Sequence, residues 1–183
     1  MVTFKGLRRN HYATILADPP WQFQTWSPKG KGRSADRHYQ TMTVSEIMLM
    51  PVSVLAARDS VLLLWTTWPH LRDAMTVISY WGFVYKTLGF VWVKVKDGQS
   101  QVGTGYWTRA NSEPCLLATC GHPHRLNRDV PQIIAEPRRE HSRKPDCVHE
   151  RIEQLVSGPY LELFARKRVR GWKAWGDEVG KFT

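Results

Sequence analysis

Residues 15–23 read ILADPPWQF. An apolar run stops at a carboxylate, Asp18, and continues as Pro19, Pro20 and Trp21. Proline has a fixed φ and no N–H donor, so a Pro-Pro pair ends a strand and stiffens the chain beyond it. A turn needs neither the acid before the prolines nor the indole after them. Together the four residues suit chemistry on the exocyclic amine of adenine. That amine is a poor nucleophile because its lone pair is delocalised into the ring. Two acceptors for its N–H bonds, one carboxylate and one backbone carbonyl, push it toward a tetrahedral centre and make the lone pair available. Asp18 offers the carboxylate. Pro19 offers a carbonyl on a stiff backbone, and Pro20 fixes its direction. Trp21 offers a π-face for an extruded base. In-line transfer from a sulfonium methyl donor then needs positioning above all, with no metal and no covalent nucleophile.

Such a tetrapeptide must sit at the end of a strand. Short apolar, β-rich runs recur at 13–17, 61–67, 83–94, 115–119, 132–135 and 160–165. Several are apolar throughout, as strands covered on both faces are. Helical patterns lie between them. In 70–81, Leu71, Ala74, Met75 and Ile78 fall on one stripe and Gly82 supplies a stop. In 145–157, Val148, Ile152, Leu155 and Val156 form a second stripe, opened by Pro145 and closed by Gly158-Pro159. A shorter helix is predicted over 43–49. Alternating strands and helices imply an α/β fold, with a mainly parallel central sheet and helices on both faces. In such sheets ligands bind beyond the carboxyl ends of the strands, where Asp18 would lie. No internal repeat or linker divides the chain, so it reads as one domain over 1–183. Three stretches, 24–38, 96–113 and 121–144, look irregular, and loops of that length are usually functional or disordered. Their basic and aromatic character suggests a substrate-facing role.

Composition narrows the partners. The chain of 183 residues is 42% hydrophobic and 23% charged, with a formal net charge of +10 and nine Trp. That surplus favours a polyanion, nucleic acid above all, and some of the Trp side chains suit base stacking. No run reaches membrane-spanning length, and the N-terminal residues lack a signal-peptide core. Three Cys with no CxxC motif fit a reducing cytoplasm better than a disulfide framework. CGHPH at 120–124, with His141, Cys147 and His149, lacks the paired spacing of a zinc site, so no metal is expected.

Five segments, in order, carry a family resemblance: ADPPW at 17–21, HYQTM at 38–42, GYWTRANSEPCLLAT at 105–119, HSRKPDCVHERIEQL at 141–155 and YLELFARKRVRGWKAWGDEV at 160–179. The chain resembles the MT-A70 family of S-adenosylmethionine-dependent N6-adenine methyltransferases from about Ile15 to about Val179. The resemblance implies a Rossmann-like methyltransferase fold and S-adenosylmethionine as cofactor. It also implies residue roles. Asp18 and Pro19 accept the target amine's protons, Pro20 holds Pro19 in place, and Trp21 lines the base pocket. Tyr39 and Glu113 contact the adenine, and Lys144 lies near both cofactor and base. Phe164, Arg166, Arg168, Asp177 and Glu178 match cofactor-contacting positions. Lys29, Lys31 and Arg33 of the first basic loop are expected on the substrate backbone.

The chain also departs from the pattern. Asp177 stands where the family usually has Asn, and an ionised carboxylate cannot donate a hydrogen bond. Arg168 and Val169 replace a His-Asn pair of the messenger-RNA enzyme. Only 17 residues precede Asp18, so an upstream acidic cofactor-contacting segment has no counterpart. There is no GxGxxG loop; the ELFAR strand takes its place in the family. Compact members without accessory domains are mostly bacterial or phage DNA enzymes, so the resemblance favours DNA, with RNA the runner-up. The expected state is a cytoplasmic monomer or homodimer. A reading of another class is a catalytically inactive nucleic-acid-binding subunit. Such subunits lose the acid or the aromatic of the tetrapeptide, whereas Asp18 and Trp21 are both present.

Overall fold

A computed structural model describes residues 3–22, 41–103, 105 and 107–182. The first basic loop, with Lys29, Lys31 and Arg33, lies outside the described residues, as does Tyr39. The strands are β1 (Tyr12–Ala17), β2 (Ala56–Trp65), β3 (Val84–Lys96), β4 (Gln99–Ser100), β5 (Ser112–Cys120), β6 (Ile133–Glu136), β7 (Tyr160–Leu163) and β8 (Trp172–Trp175). The helices are α1 (Val44–Met48), α2 (Leu71–Tyr80) and α3 (Cys147–Leu155). The eight strands of the described residues join one sheet in the order β4-β3-β5-β2-β1-β7-β8, with β6 against β3.

The apolar runs are apolar throughout because both faces of the sheet are covered. Ile15, Ala17, Leu62 and Leu64 point to one face, where Ile47 of α1 and Ala74, Val77 and Ile78 of α2 pack on them. Leu16, Val61, Leu63 and Trp65 point to the other, where Val148 and Ile152 of α3 lie. This is the period-two alternation of a strand, apolar in both phases. Thr43 caps α1 and exchanges hydrogen bonds with Glu46 in a capping box. Trp81, fully buried after α2, donates its indole N–H to the carbonyl of Ile47 at 2.9 Å and so ties α2 to α1.

The α/β Rossmann-like class holds, but the sheet is mixed rather than mainly parallel. β1 pairs in parallel with β2 and β7, β7 with β8, and β3 with β6. β5 runs antiparallel to both β2 and β3, and β4 antiparallel to β3. The physical reason is a hairpin. Asp97 and Gly98 both have positive φ, 51° and 76°, so the chain reverses directly after β3 without a crossover helix. The Asp-Gly signal lies inside 96–113, which sequence reading leaves irregular. β3 also carries two register irregularities. At one of them sits Gly89, where a Cβ would press on Leu63 and the carbonyl of Cys115 at 3.2 Å. β8 is absent from the predicted strands, and β7 ends at Leu163 rather than running to 165.

The chain leaves β1 for β2 on one side and returns to β7 on the other. β1 is therefore the switch point, where a crevice opens at the carboxyl ends of the strands. No helix among the described residues is long and apolar enough to cross a membrane. Trp81→Ala should destabilise the fold by about 3–5 kcal/mol, through a lost core side chain and an orphaned carbonyl. Thr43→Ala should cost only about 1 kcal/mol, through the lost cap. Urea unfolding of the two variants checks this difference.

Candidate active site

Asp18 is the first residue after β1, and its backbone N–H meets the carbonyl of Leu163 at 3.5 Å. The pairing of Ala17 with Leu163 sets Asp18 beside Phe164 at the shared carboxyl end of β1 and β7. The predicted catalytic strand end and the predicted cofactor strand are thus neighbours. Lys144, just before α3, brings its Nζ to Asp18 Oδ2 at 2.8 Å and to Glu113 Oε2 at 3.4 Å. Glu113, on β5, pairs through Oε1 with Lys94 of β3. Four charges alternate in sign along this chain of contacts. Their side chains are only 12–21% exposed.

The two carboxylates respond differently to this environment. Burial pushes the Asp18 carboxyl above its ordinary range, against the pull of Lys144. Burial also acts to raise Glu113, but there Lys144 and Lys94 outweigh it and the carboxyl ends below its usual range. Asp18 is therefore the stronger base of the two. A mostly buried pair of this kind contributes little net stability, because desolvation offsets the attraction. Perturbed carboxyls beside a cleft make this a candidate functional site.

A cleft opens beside Asp18, lined among others by Trp65, Arg143, His149, Phe164, Arg166 and Phe182. Phe164 holds φ at +60°, a left-handed conformation uncommon for a bulky residue. Its ring meets Trp175 edge-on at 6.1 Å, and the next residue, Ala165, bonds to the carbonyl of Trp175 at 3.0 Å. Arg166 spans the C-terminal segment. Its Nε reaches Glu178 at 2.8 Å, an Nη donates to the carbonyl of His141, and its guanidinium lies over the ring of Phe182. Three buried nitrogens of cleft-lining residues, Trp65 Nε1, Arg143 Nε and His149 Nδ1, have no partner among the described residues. Two of these are N–H donors in any state, which suits a ligand rich in oxygen acceptors. A separate hollow of about 220 Å³ at the opposite ends of the strands is lined by Asn10, Trp81, Phe83 and Cys120 among others, far from these charges.

The structure brings Asp18, Glu113, Lys144, Phe164 and Arg166 to one place. Glu178 joins them through Arg166. Arg168 and Asp177 are exposed and do not line the cleft. Trp21 is 4% exposed, with its indole N–H on the carbonyl of Trp65 at 3.1 Å and its ring stacked on His70 at 5.6 Å. It is a buried wall in this conformation, not an open platform. The carbonyl of Pro19 accepts the N–H of Trp21 at 2.8 Å, and that of Pro20 accepts the N–H of Met42 at 2.8 Å. A carbonyl has two lone pairs, so Pro19 keeps one for a second donor. In the third irregular stretch, Arg139 and Arg143 pair with Asp146, and Arg143 also with Glu140. Sequence reading misses Lys94, Trp65 and Phe182. Of these only Lys94 carries a signal, a lysine two residues after Trp92 on the strand phase that holds Phe90 and Trp92. Among the described residues no three His, Cys, Asp or Glu side chains gather as a metal site.

A sequence profile of the MT-A70 family matches residues 12–178. The type II methyltransferase M.MunI of a Mycoplasma species is 31% identical, across 96% of this chain and 81% of that enzyme. The human N(6)-adenosine-methyltransferase catalytic subunit METTL3 is 31% identical, across 85% of this chain and 26% of its own length. The N6-methyladenosine RNA methyltransferase MTA1 of Cryphonectria parasitica is 29% identical, across 92% of this chain and 52% of its own. The chain therefore spans most of the Mycoplasma enzyme but only a quarter to a half of the other two. The profile match starts at the first residue of β1 and ends at Glu178, taking in Asp18, Glu113, Lys144 and Phe164 alike, and the chain belongs to the MT-A70 family of methyltransferases.

Proposed function

We propose that this chain transfers a methyl group from S-adenosylmethionine to the exocyclic amine of an adenine in DNA. The observation that carries the reading is Asp18, a carboxylate at the end of β1 whose basicity burial has raised. Lys144 occupies Oδ2, which leaves Oδ1 to accept an N–H of the target amine. The second lone pair of the Pro19 carbonyl accepts the other. These two acceptors favour the pyramidal nitrogen of the transition state over the planar ground state, so their effect falls on the rate. Methylation leaves that nitrogen with a surplus proton. Asp18 is better suited to take it than an ordinary aspartate, because a raised pKa is a stronger base.

The cofactor would supply an electrophilic methyl group. The residues lining the cleft fit it. Phe164 offers an aromatic wall, and Lys144 and the unpartnered Arg143 Nε offer donors to a carboxylate. Arg166 and Glu178, joined to each other, would close the far side.

The choice of DNA leans on the Mycoplasma type II methyltransferase, matched across 81% of its length where METTL3 and MTA1 are matched across 26% and 52% of theirs. The net charge of +10 suits either nucleic acid. RNA is the second reading, favoured by the names of METTL3 and MTA1. Labelled methyl transfer to duplex DNA, single-stranded DNA and RNA in parallel, with the modified base identified, decides between them. Transfer only to RNA would overturn the choice of DNA, and transfer to a base other than adenine would overturn the chemistry.

Asp18→Ala should cut transfer by at least about 10²–10³-fold while calorimetric affinity for S-adenosylmethionine stays near wild type. Phe164→Ala should do the reverse and weaken cofactor binding first, whereas Asp177→Ala, exposed beyond the cleft, should affect it less. The pH profile is set by the direction of the Asp18 shift. Only ionised Asp18 accepts the amine's hydrogen bonds, so kcat should fall as pH drops through a midpoint above the ordinary aspartate range. Lys144 opposes that shift, so Lys144→Met should move the acid limb to still higher pH. A kcat profile for both proteins on one oligonucleotide measures this.

A further inference from the structure

We propose that Lys94 is a positioning residue for methyl transfer: by occupying Glu113 it leaves Lys144 on Asp18. The proposal rests on the methyl-transfer reading for its consequence, but its geometry stands alone. Glu113 has two carboxylate oxygens. Oε1 is taken by Lys94, and Oε2 lies 3.4 Å from Lys144. Lys144 is 2.8 Å from Asp18. Lys144 thus stands between two carboxylates and sits nearer Asp18, the one that Lys94 does not occupy.

Lys94 is built into its place. Its backbone N–H bonds to the carbonyl of Asn111 at 2.8 Å, where β3 meets the start of β5. Its Nζ lies 4.9 Å from the ring centre of Trp92, which is buried and directly opposite Glu113 in the strand register. The Lys94 side chain is 16% exposed, so its ammonium has given up much of its water. A lysine so placed gains little for stability unless its anion is needed there. Among the described residues the groups facing Glu113 are Lys94 from β3, Lys144 from the segment before α3 and, through Lys144, Asp18 just after β1. Cys115, two residues along β5, feels Asp18 and Lys144 but is a buried thiol pushed further up by that burial, so it stays neutral.

Without Lys94, Glu113 is a mostly buried carboxylate with one cation, Lys144, in reach among the described residues. Attraction between unit charges rises as the dielectric falls, so Lys144 would be drawn from Asp18 toward Glu113. Asp18 would lose the charge that holds down its pKa, and its carboxylate would lose the contact that orients it.

The test reads Asp18 directly. Carboxyl carbon NMR titration of the substrate-free protein follows Asp18 in wild type, Lys94→Met and Lys94→Arg, and the pH profile of kcat is measured beside it. In Lys94→Met the Asp18 midpoint and the acid limb of kcat should both move to higher pH. At neutral pH kcat should fall roughly 10–100-fold, the scale of a small misplacement at a reacting centre, with KM nearly unchanged. Lys94→Arg should hold the midpoint near wild type. A folded Lys94→Met whose Asp18 titrates as in wild type overturns the proposal. If Lys94→Met does not fold, the comparison moves to Glu113→Gln, with and without Lys94→Met. There the carboxylate that Lys94 acts through is gone, so removing Lys94 should leave the Asp18 midpoint unmoved, and a shift overturns the proposal. The titration needs no substrate. A protein that shows this coupling yet methylates nothing would sink the methyl-transfer reading and leave the charge chain standing.

Discussion

The contact between Asp18 and Lys144 joins residues 126 positions apart, and the site is arranged around it. A carboxylate at the end of a buried central strand is costly to ionise. A cation at 2.8 Å offsets that cost in part, and only in part, since the pKa still ends above the ordinary range. Lys144 can reach Asp18 because α3 packs its Val148 and Ile152 on the face of the sheet that β1 and β2 share. Helix packing, not the ion pair, supplies the energy that holds this buried carboxylate in place.

The four-charge chain also sets how the fold meets acid. Glu113 has a folded pKa below its usual value, so its contribution to stability is present above that usual value and lost as pH falls through the depressed one. Asp18 has the opposite sign. Its raised pKa means the folded state holds the proton more tightly, so that contribution exists at low pH and is lost as pH rises through the raised value. At neutral pH one carboxylate supports the fold and its neighbour strains it. The strained one is the residue to which the proposed function assigns the target amine.

The cleft has a similar division of roles. β1 and β7 are parallel neighbours, so their carboxyl ends open together and any group held at one is beside the other. β7 leads directly into Phe164, turned by a positive φ, and the segment through β8 folds back to brace it with Trp175 and to pair Glu178 with Arg166. The tail of the chain is thereby one wall of the cleft.

Much of this is legible without coordinates. Apolar runs covered on both faces and the stripes of α2 and α3 are local patterns, and local patterns record which faces must leave water. The order of motifs puts Asp18 at a strand end, where the structure has it, and puts Phe164 on a strand that in the structure ends one residue earlier, at Leu163. What local pattern cannot carry is pairing. That β5 enters the sheet antiparallel depends on which edges are free when the hairpin at Asp97-Gly98 closes. That Lys94 belongs to the site depends on strand register, because only the alignment of Trp92 with Glu113 brings two side chains from separate strands together. That Trp21 is a wall reflects its burial against Trp65 and His70, residues distant in the chain. Sequence by itself determined the residue types that can hold and activate an amine, since those come from side-chain chemistry. Only the tertiary structure decided their partners, because a charge's basicity depends on which groups the fold brings within a few ångströms and how much water it leaves there.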